Sequence, residues 1–160
     1  MSTQAWIAFL VGAAAVIDDL SRRHIANWIP VAALAGGFGW QIGHSGWSGA
    51  WSALSGSVLG FLVFFVFYWL GGMGGGDVKL MAGFGALLGP SQLVEAALWT
   101  AGVGGILALG AIGFKTLRKR LQSGSVPNAA ALTQEQKDRE ASIPYAPAIA
   151  LGVWLAMIPK

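Results

Sequence analysis

Apolar residues run through this chain in long blocks separated by short polar intervals. A membrane-crossing helix needs about 20 mostly apolar residues, with roughly 17 to 25 as the usual range. Trp51 to Leu70 meets that requirement cleanly, and Leu93 to Phe114 meets it with one acid, Glu95, near its start. The blocks from Ser2 to Ile17, Trp28 to Ile42 and Ile143 to Ile158 are shorter, and flanking residues can complete each one. Val78 to Leu88 is shorter still and stops at Gly89-Pro90, where proline closes off helix continuation. It reads as a short span or a re-entrant piece. The pattern predicts an all-α integral membrane protein, a single domain over residues 1–160 built as a bundle of about six transmembrane helices. Their expected ranges are 2–19, 28–42, 51–70, 78–88, 93–114 and 143–158, with a loop over 115–142.

Composition sharpens this picture. Apolar residues make up 55 % of the chain and charged residues 11 %, against roughly 25 % charged in soluble domains. The 52 residues from Ile25 through Gly76 contain no Asp, Glu, Lys or Arg. Together these features exclude a soluble enzyme. Cysteine is absent, which removes disulfides, a cysteine nucleophile and thiolate metal ligands. His24 and His44 are the two imidazoles, too few for a histidine-built zinc site, so no metal and no cofactor is expected. The N-terminal block lacks a basic leader region and a small-residue cleavage site, and it reads as a retained first membrane segment.

Charge then orients the bundle. With the N-terminus outside and alternating segments, inner loops hold Arg22 and Arg23, the approach to Lys79, and Lys115, Arg118, Lys119, Arg120, Lys137 and Arg139. Nine of the ten basic residues then face the cytoplasm, as the positive-inside bias requires. Such clusters in a hydrophobic chain point to cytoplasmic loops beside lipid rather than to nucleic acid. The 115–142 loop is the one polar region, and Thr133 to Gln136 has capping-box spacing for a short helix. It reads as a solvated connector lying on anionic headgroups. Trp28, Trp47, Trp51 and Trp69 fall where tryptophan anchors interfaces, and packing within the bundle is an equally ordinary use for them.

Acidic side chains at a membrane boundary are costly unless solvated, paired or used. Glu95 lies near the outer end of its block and reads as structural. Asp18 and Asp19 close the first segment, and Asp77 opens the fourth, so both sites reach the same cytoplasmic face. One account of the first pair is ion pairing with Arg22 and Arg23 at helical spacing. One account of Asp77 is an N-cap on a helix starting at Val78. The density of glycine before it, at Gly71, Gly72, Gly74, Gly75 and Gly76, bares the main chain and suits close approach of another backbone. Two neighbouring carboxylates share a proton, so one can activate water while the other donates to a carbonyl oxygen. That is aspartic-protease chemistry. The same pair in a membrane also suits an ion or proton path.

The motifs resemble a known family. Gly74-Gly75-Gly76-Asp77 matches the G-x-G-D signature of intramembrane aspartyl proteases, and its continuation Val78-Lys79-Leu80 resembles type IV prepilin peptidases. The stretch Asp19 to Asn27 resembles that family's first-aspartate motif, with Ala26 where the family has proline. Ile143 to Gly152 resembles its final-segment pattern. The resemblance implies Asp19 and Asp77 as the catalytic pair, with Asp18 outside it. It implies cleavage, after a glycine, of the basic leader from prepilins whose hydrophobic helix lies in the inner membrane. Gly74 and Gly76 would align the substrate backbone, and Lys79 would tune Asp77 or hold an anionic group. The compact chain is similar to the short branch serving Flp-type pili, without the cysteine-bearing region and its methyltransferase activity. Contact with pilus assembly machinery goes with such a role. The competing readings are a small transporter or channel subunit, with Asp19, Asp77 and Glu95 lining a polar path, and a non-catalytic assembly component.

Overall fold

A straight helix of 42 residues would measure about 63 Å, twice the hydrocarbon thickness of a bilayer, and the longest charge-free helix of this protein solves that by folding back on itself. The computed structural model describes residues 2–22, 25–121 and 145–158. Four helices make up these residues: α1 (Thr3–Arg22), α2 (Trp28–Trp69), α3 (Gly75–Leu121) and α4 (Ala146–Ala156). Two of them, α1 and α2, are long and apolar enough to be candidate membrane spans. Inside α2, Gly46 leaves helical geometry with φ 56° and ψ −130°, a conformation that glycine adopts without a β-carbon clash. Inside α3, Gly89 does the same with φ 74° and ψ 173°, followed by Pro90. Each long helix is therefore two arms joined at one glycine.

The packing register gives the direction of each arm. Gly83 sits against Ala33 and Gly37 against Leu87, so the first arm of α2 runs parallel to the first arm of α3. Gly89 meets Ser52, Gly85 meets Gly56 and Met81 meets Gly60, so the second arm of α2 runs antiparallel to it. A β-carbon on Gly56 or Gly85 would run into the other's backbone carbonyl, and glycine is what lets these two helices touch main chain to main chain. Gln4 of α1 reaches Leu87 while Asp19 lies at the Asp77 end, which makes α1 antiparallel as well. Finally, α4 returns beside α1, with Gly12 against Ala150 and Trp154, and beside the second arm of α3, with Thr100 against Gly152.

The first arm of α3 forms the centre. Leu80, Met81, Phe84, Ala86 and Leu87 are fully buried, joined by Leu93 from the second arm of α3 and by Ile29, Ile149 and Val153 from neighbouring helices. An arm enclosed in this way can be short, because protein rather than lipid surrounds it. Its far end lies beside the kink at Gly89 and Pro90, and there the side-chain amides of Gln4 and Gln41 both donate to the Leu87 carbonyl, at 2.9 and 3.2 Å. The outward surface is apolar. Trp28, Trp47, Trp51 and Trp69 are 58–80 % exposed, which favours the interface-anchor reading over burial in the bundle.

Several boundaries differ from the sequence expectation. The interval 43–50 is helical apart from Gly46, not a loop. The last arm of α3 continues past residue 114 to Leu121, because Lys115 to Leu121 are good helix formers with no glycine or proline among them. The described part of the final helix runs Ala146–Ala156 and stops short of residue 158, with Pro147 in its first turn, where a missing N–H costs nothing. The remainder of the expected loop, residues 122–142 with Thr133 to Gln136, lies outside the described residues, as do Arg23, His24, Ile143 and Pro144.

Candidate active site

Asp77 lies in the first turn of α3, and its surroundings follow from how α2 stops. The Gly71 N–H bonds the Tyr68 carbonyl and the Gly72 N–H bonds the Phe67 carbonyl, both at 2.9 Å, with Gly71 at φ 75°. This is the paired C-terminal capping pattern that requires a left-handed residue, and it assigns Gly71 to ending the helix. Helix α3 then starts at Gly75, three residues before the expected Val78. Asp77 is thus the third helical residue rather than the cap, and its Oδ2 accepts the Gly74 N–H at 3.2 Å, reaching back over the turn. Gly76 packs with its α-carbon against Ile25, where an added β-carbon would come within 3.2 Å. The main chain of residues 74–76 borders the site directly.

Asp19 occupies the last turn of α1, an unfavourable place for a negative charge because of the helix dipole. The first N–H of α4, from Ala146, donates to Asp19 Oδ2 at 3.2 Å. A helix N-terminus thereby faces the carboxylate and offsets the α1 terminus. Asp18, one residue earlier, is turned to other partners. Its Oδ2 accepts the Ala26 N–H at 2.7 Å and its Oδ1 lies 3.5 Å from Arg22 Nε. Helical spacing to Arg22 therefore engages Asp18, while Asp19 points inward.

Both Asp19 and Asp77 are buried, 8 % and 7 % exposed, and both line one open cavity of about 540 Å³. The two carboxyl groups therefore border one common space. Gly74, Gly75, Gly76 and Lys79 line the same cavity. Glu95 is half-buried and belongs to the second arm of α3, away from this lining. Among the described residues no group of three His, Cys, Asp or Glu side chains gathers that could hold a metal ion. A cavity this size accommodates a short peptide stretch, and two carboxyl groups lining it beside an exposed main chain can activate water and polarise a carbonyl.

Three features of the site escape a reading of the sequence. Asn27 stands at the N-cap position of α2 without capping it; its Oδ1 instead accepts a hydrogen bond from Lys79 Nζ at 3.0 Å. Phe61, Phe65 and Tyr68 form a cavity wall, and their i, i+4, i+7 spacing is present in the sequence but hidden in a uniformly apolar, aromatic-rich stretch. The α4 amide at Asp19 is a tertiary contact with no local signal.

No curated protein and no solved structure matches the chain. A family model does: the one described as the type IV leader peptidase family matches residues 6–109, which include Asp19, Asn27, the Gly74–Asp77 turn and Lys79. That match spans well over half of the 160 residues, and the chain belongs to the type IV leader peptidase family.

Proposed function

We propose that this protein is a membrane aspartic endopeptidase that removes the basic leader peptide from Flp-like type IV prepilins. Family membership implies an aspartic-type peptidase, suggests prepilin leader cleavage and points to the inner membrane. The observation that carries the finer reading is the shared cavity, where Asp19 and Asp77 lie buried beside the bare main chain of residues 74–76. In this mechanism one carboxylate takes a proton from the attacking water and the protonated partner donates to the scissile carbonyl oxygen. The substrate backbone, small at its glycine, approaches along Gly74 to Gly76, and Lys79 on the rim supports the site.

Six membrane crossings with the N-terminus outside are part of the same proposal. The alternating directions of the six helical arms support it, and so does the position of Arg22 and Lys79 at the end that holds the two aspartates. That end then faces the cytoplasm, where the prepilin leader resides. Acids gathered at one end suit this reading better than a transport path, which needs polar groups spread through the depth of the membrane. Co-expression of a prepilin with wild type, Asp19→Asn and Asp77→Asn tests the function. Wild type is expected to shift the prepilin to its shorter form on a gel. Processing that survives both substitutions would end the peptidase reading.

A further inference from the structure

The cavity that holds the two aspartates is not polar throughout. Its lining divides into two parts: Asn27, Lys79 and the two carboxylates at the end where α3 begins, and Phe61 with Phe65 farther along α2. From Tyr68 to Phe61 is seven residues, about 10 Å along a helix axis, directed away from the proposed cytoplasmic face into the apolar layer. Phe61 and Phe65 stack with centroids 5.4 Å apart and planes 16° from parallel, and Phe65 lies 6.0 Å from Tyr68. The three rings are 42–47 % exposed. Phe61 and Phe65 form a stacked aromatic wall, with Tyr68 tilted 35° from Phe65 at its end, and all three open on the same space as the carboxylates. Rigid aromatic surfaces of this kind supply large contact area at low entropic cost.

We infer that the Phe61–Phe65–Tyr68 wall is the docking surface for the apolar helix of the substrate, the segment that follows the scissile bond. This inference rests on the peptidase reading above and adds how the substrate is held. The continuity of the cavity argues for that occupant. A chain cut between Asp19 and Asp77 must continue from the polar end in one direction as a basic leader and in the other as an apolar helix. The aromatic wall leads from the cut site in the direction the apolar helix must take. The charge-free character of α2 leaves nothing on that face to attract the basic leader. The wall therefore governs substrate affinity and choice, while the aspartates govern the bond-breaking step.

Two measurements on the full-length protein in lipid vesicles test this. With a purified prepilin, the Phe61→Ala/Phe65→Ala double variant is expected to raise KM about tenfold with kcat nearly unchanged. A photo-crosslinking amino acid at position 61 or 65 of an Asp77→Asn background is expected to capture the prepilin within its apolar helix. Unchanged KM would overturn the docking role, as would crosslinks that fall in the leader, on lipid alone or on a second copy of this chain. Wild-type protein run alongside separates the two questions. Where it cleaves and the wall variants behave like it, the docking inference fails and the peptidase reading stands.

Discussion

The backbone N–H of Ala146 donates to the Asp19 carboxylate across 127 positions of sequence, so the start of α4 holds the end of α1. This contact allows the proposed chemical role of Asp19 to be separated from its structural one. Asparagine retains a carbonyl oxygen that can accept the same N–H, whereas alanine leaves a buried donor without a partner. Asp19→Asn and Asp19→Ala are therefore both expected to lose cleavage by about 100-fold or more. They differ in stability. Asp19→Ala should fall below Asp19→Asn by about 1–3 kcal/mol, measured as thermal unfolding in detergent. Equal stability of the two would show that the Ala146 contact contributes little.

Asp18 provides the complementary case. Its carboxylate is committed to the Ala26 N–H and to Arg22, whose side chain is 77 % exposed. An exposed ion pair contributes at most about 1 kcal/mol. Asp18→Asn keeps an acceptor for Ala26 and is expected to retain near-wild-type processing with a stability change below about 1 kcal/mol. Loss of processing to the level of Asp19→Asn would shift the catalytic assignment to Asp18.

The glycines divide into two groups with opposite expected responses. Gly56 and Gly85 bring two backbones together, and a methyl group on either meets a carbonyl oxygen that cannot rotate away. Gly56→Ala and Gly85→Ala are expected to destabilise by about 1–3 kcal/mol each. Gly39, also helical, has nothing within 4 Å of the same added atom. Gly39→Ala is expected to be neutral or to stabilise by up to about 1 kcal/mol through helix propensity. Thermal melts of the three variants check the contrast.

These two groups also show how far the chain could be read. The order of the helical stretches, the break at Gly89-Pro90 and the i, i+4 partner of Asp18 all have local signals: apolar length, a missing N–H and helical spacing. The turn inside α2 does not. Gly43, Gly46 and Gly49 are equally capable of it, and the one that takes positive φ is decided by how the two arms seat on α3. The start of α3 at Gly75 was similarly masked. Gly71 ends α2 and Gly75 begins α3, but a run of glycines carries no mark of where one helix stops and the next starts. The Ala146 amide and the Asn27–Lys79 contact depend on tertiary packing alone.

The Leu87 carbonyl beside the Gly89 kink yields a coupling prediction. A carbonyl oxygen has two lone pairs, and Gln4 and Gln41 both donate to this one. Removing one amide leaves the other in place. Gln4→Leu and Gln41→Leu are each expected to cost about 0.5–1.5 kcal/mol. The double variant leaves the carbonyl without either donor and should exceed the sum of the singles by roughly 1 kcal/mol. A double-mutant cycle on thermal or denaturant unfolding measures that excess, and strict additivity would mean that the two amides act independently of the break.

Lys79 and Asn27 form the last test, because two roles for Lys79 lead to different numbers. The Lys79 ammonium donates to Asn27 Oδ1 at 3.0 Å on the exposed rim of the cavity, tying the chain after α1 to the first turn of α3. Asp77 lies two residues before Lys79, and Asp19 lies in the last turn of the helix that leads into Asn27, so the contact ties one carboxylate's element to the other's. If positioning is its work, Asn27→Ala and Lys79→Met break the same bond and lower kcat/KM by a similar factor, roughly fivefold for a contact of about 1 kcal/mol. The double variant is then no worse than either single. If Lys79 acts instead through its charge on Asp77 or on an anionic group, Lys79→Met costs more than Asn27→Ala, and Lys79→Arg restores most of the loss even in the Asn27→Ala background. The accessible contact and its geometry favour the first pattern. Steady-state cleavage of a purified prepilin by the four variants distinguishes the two.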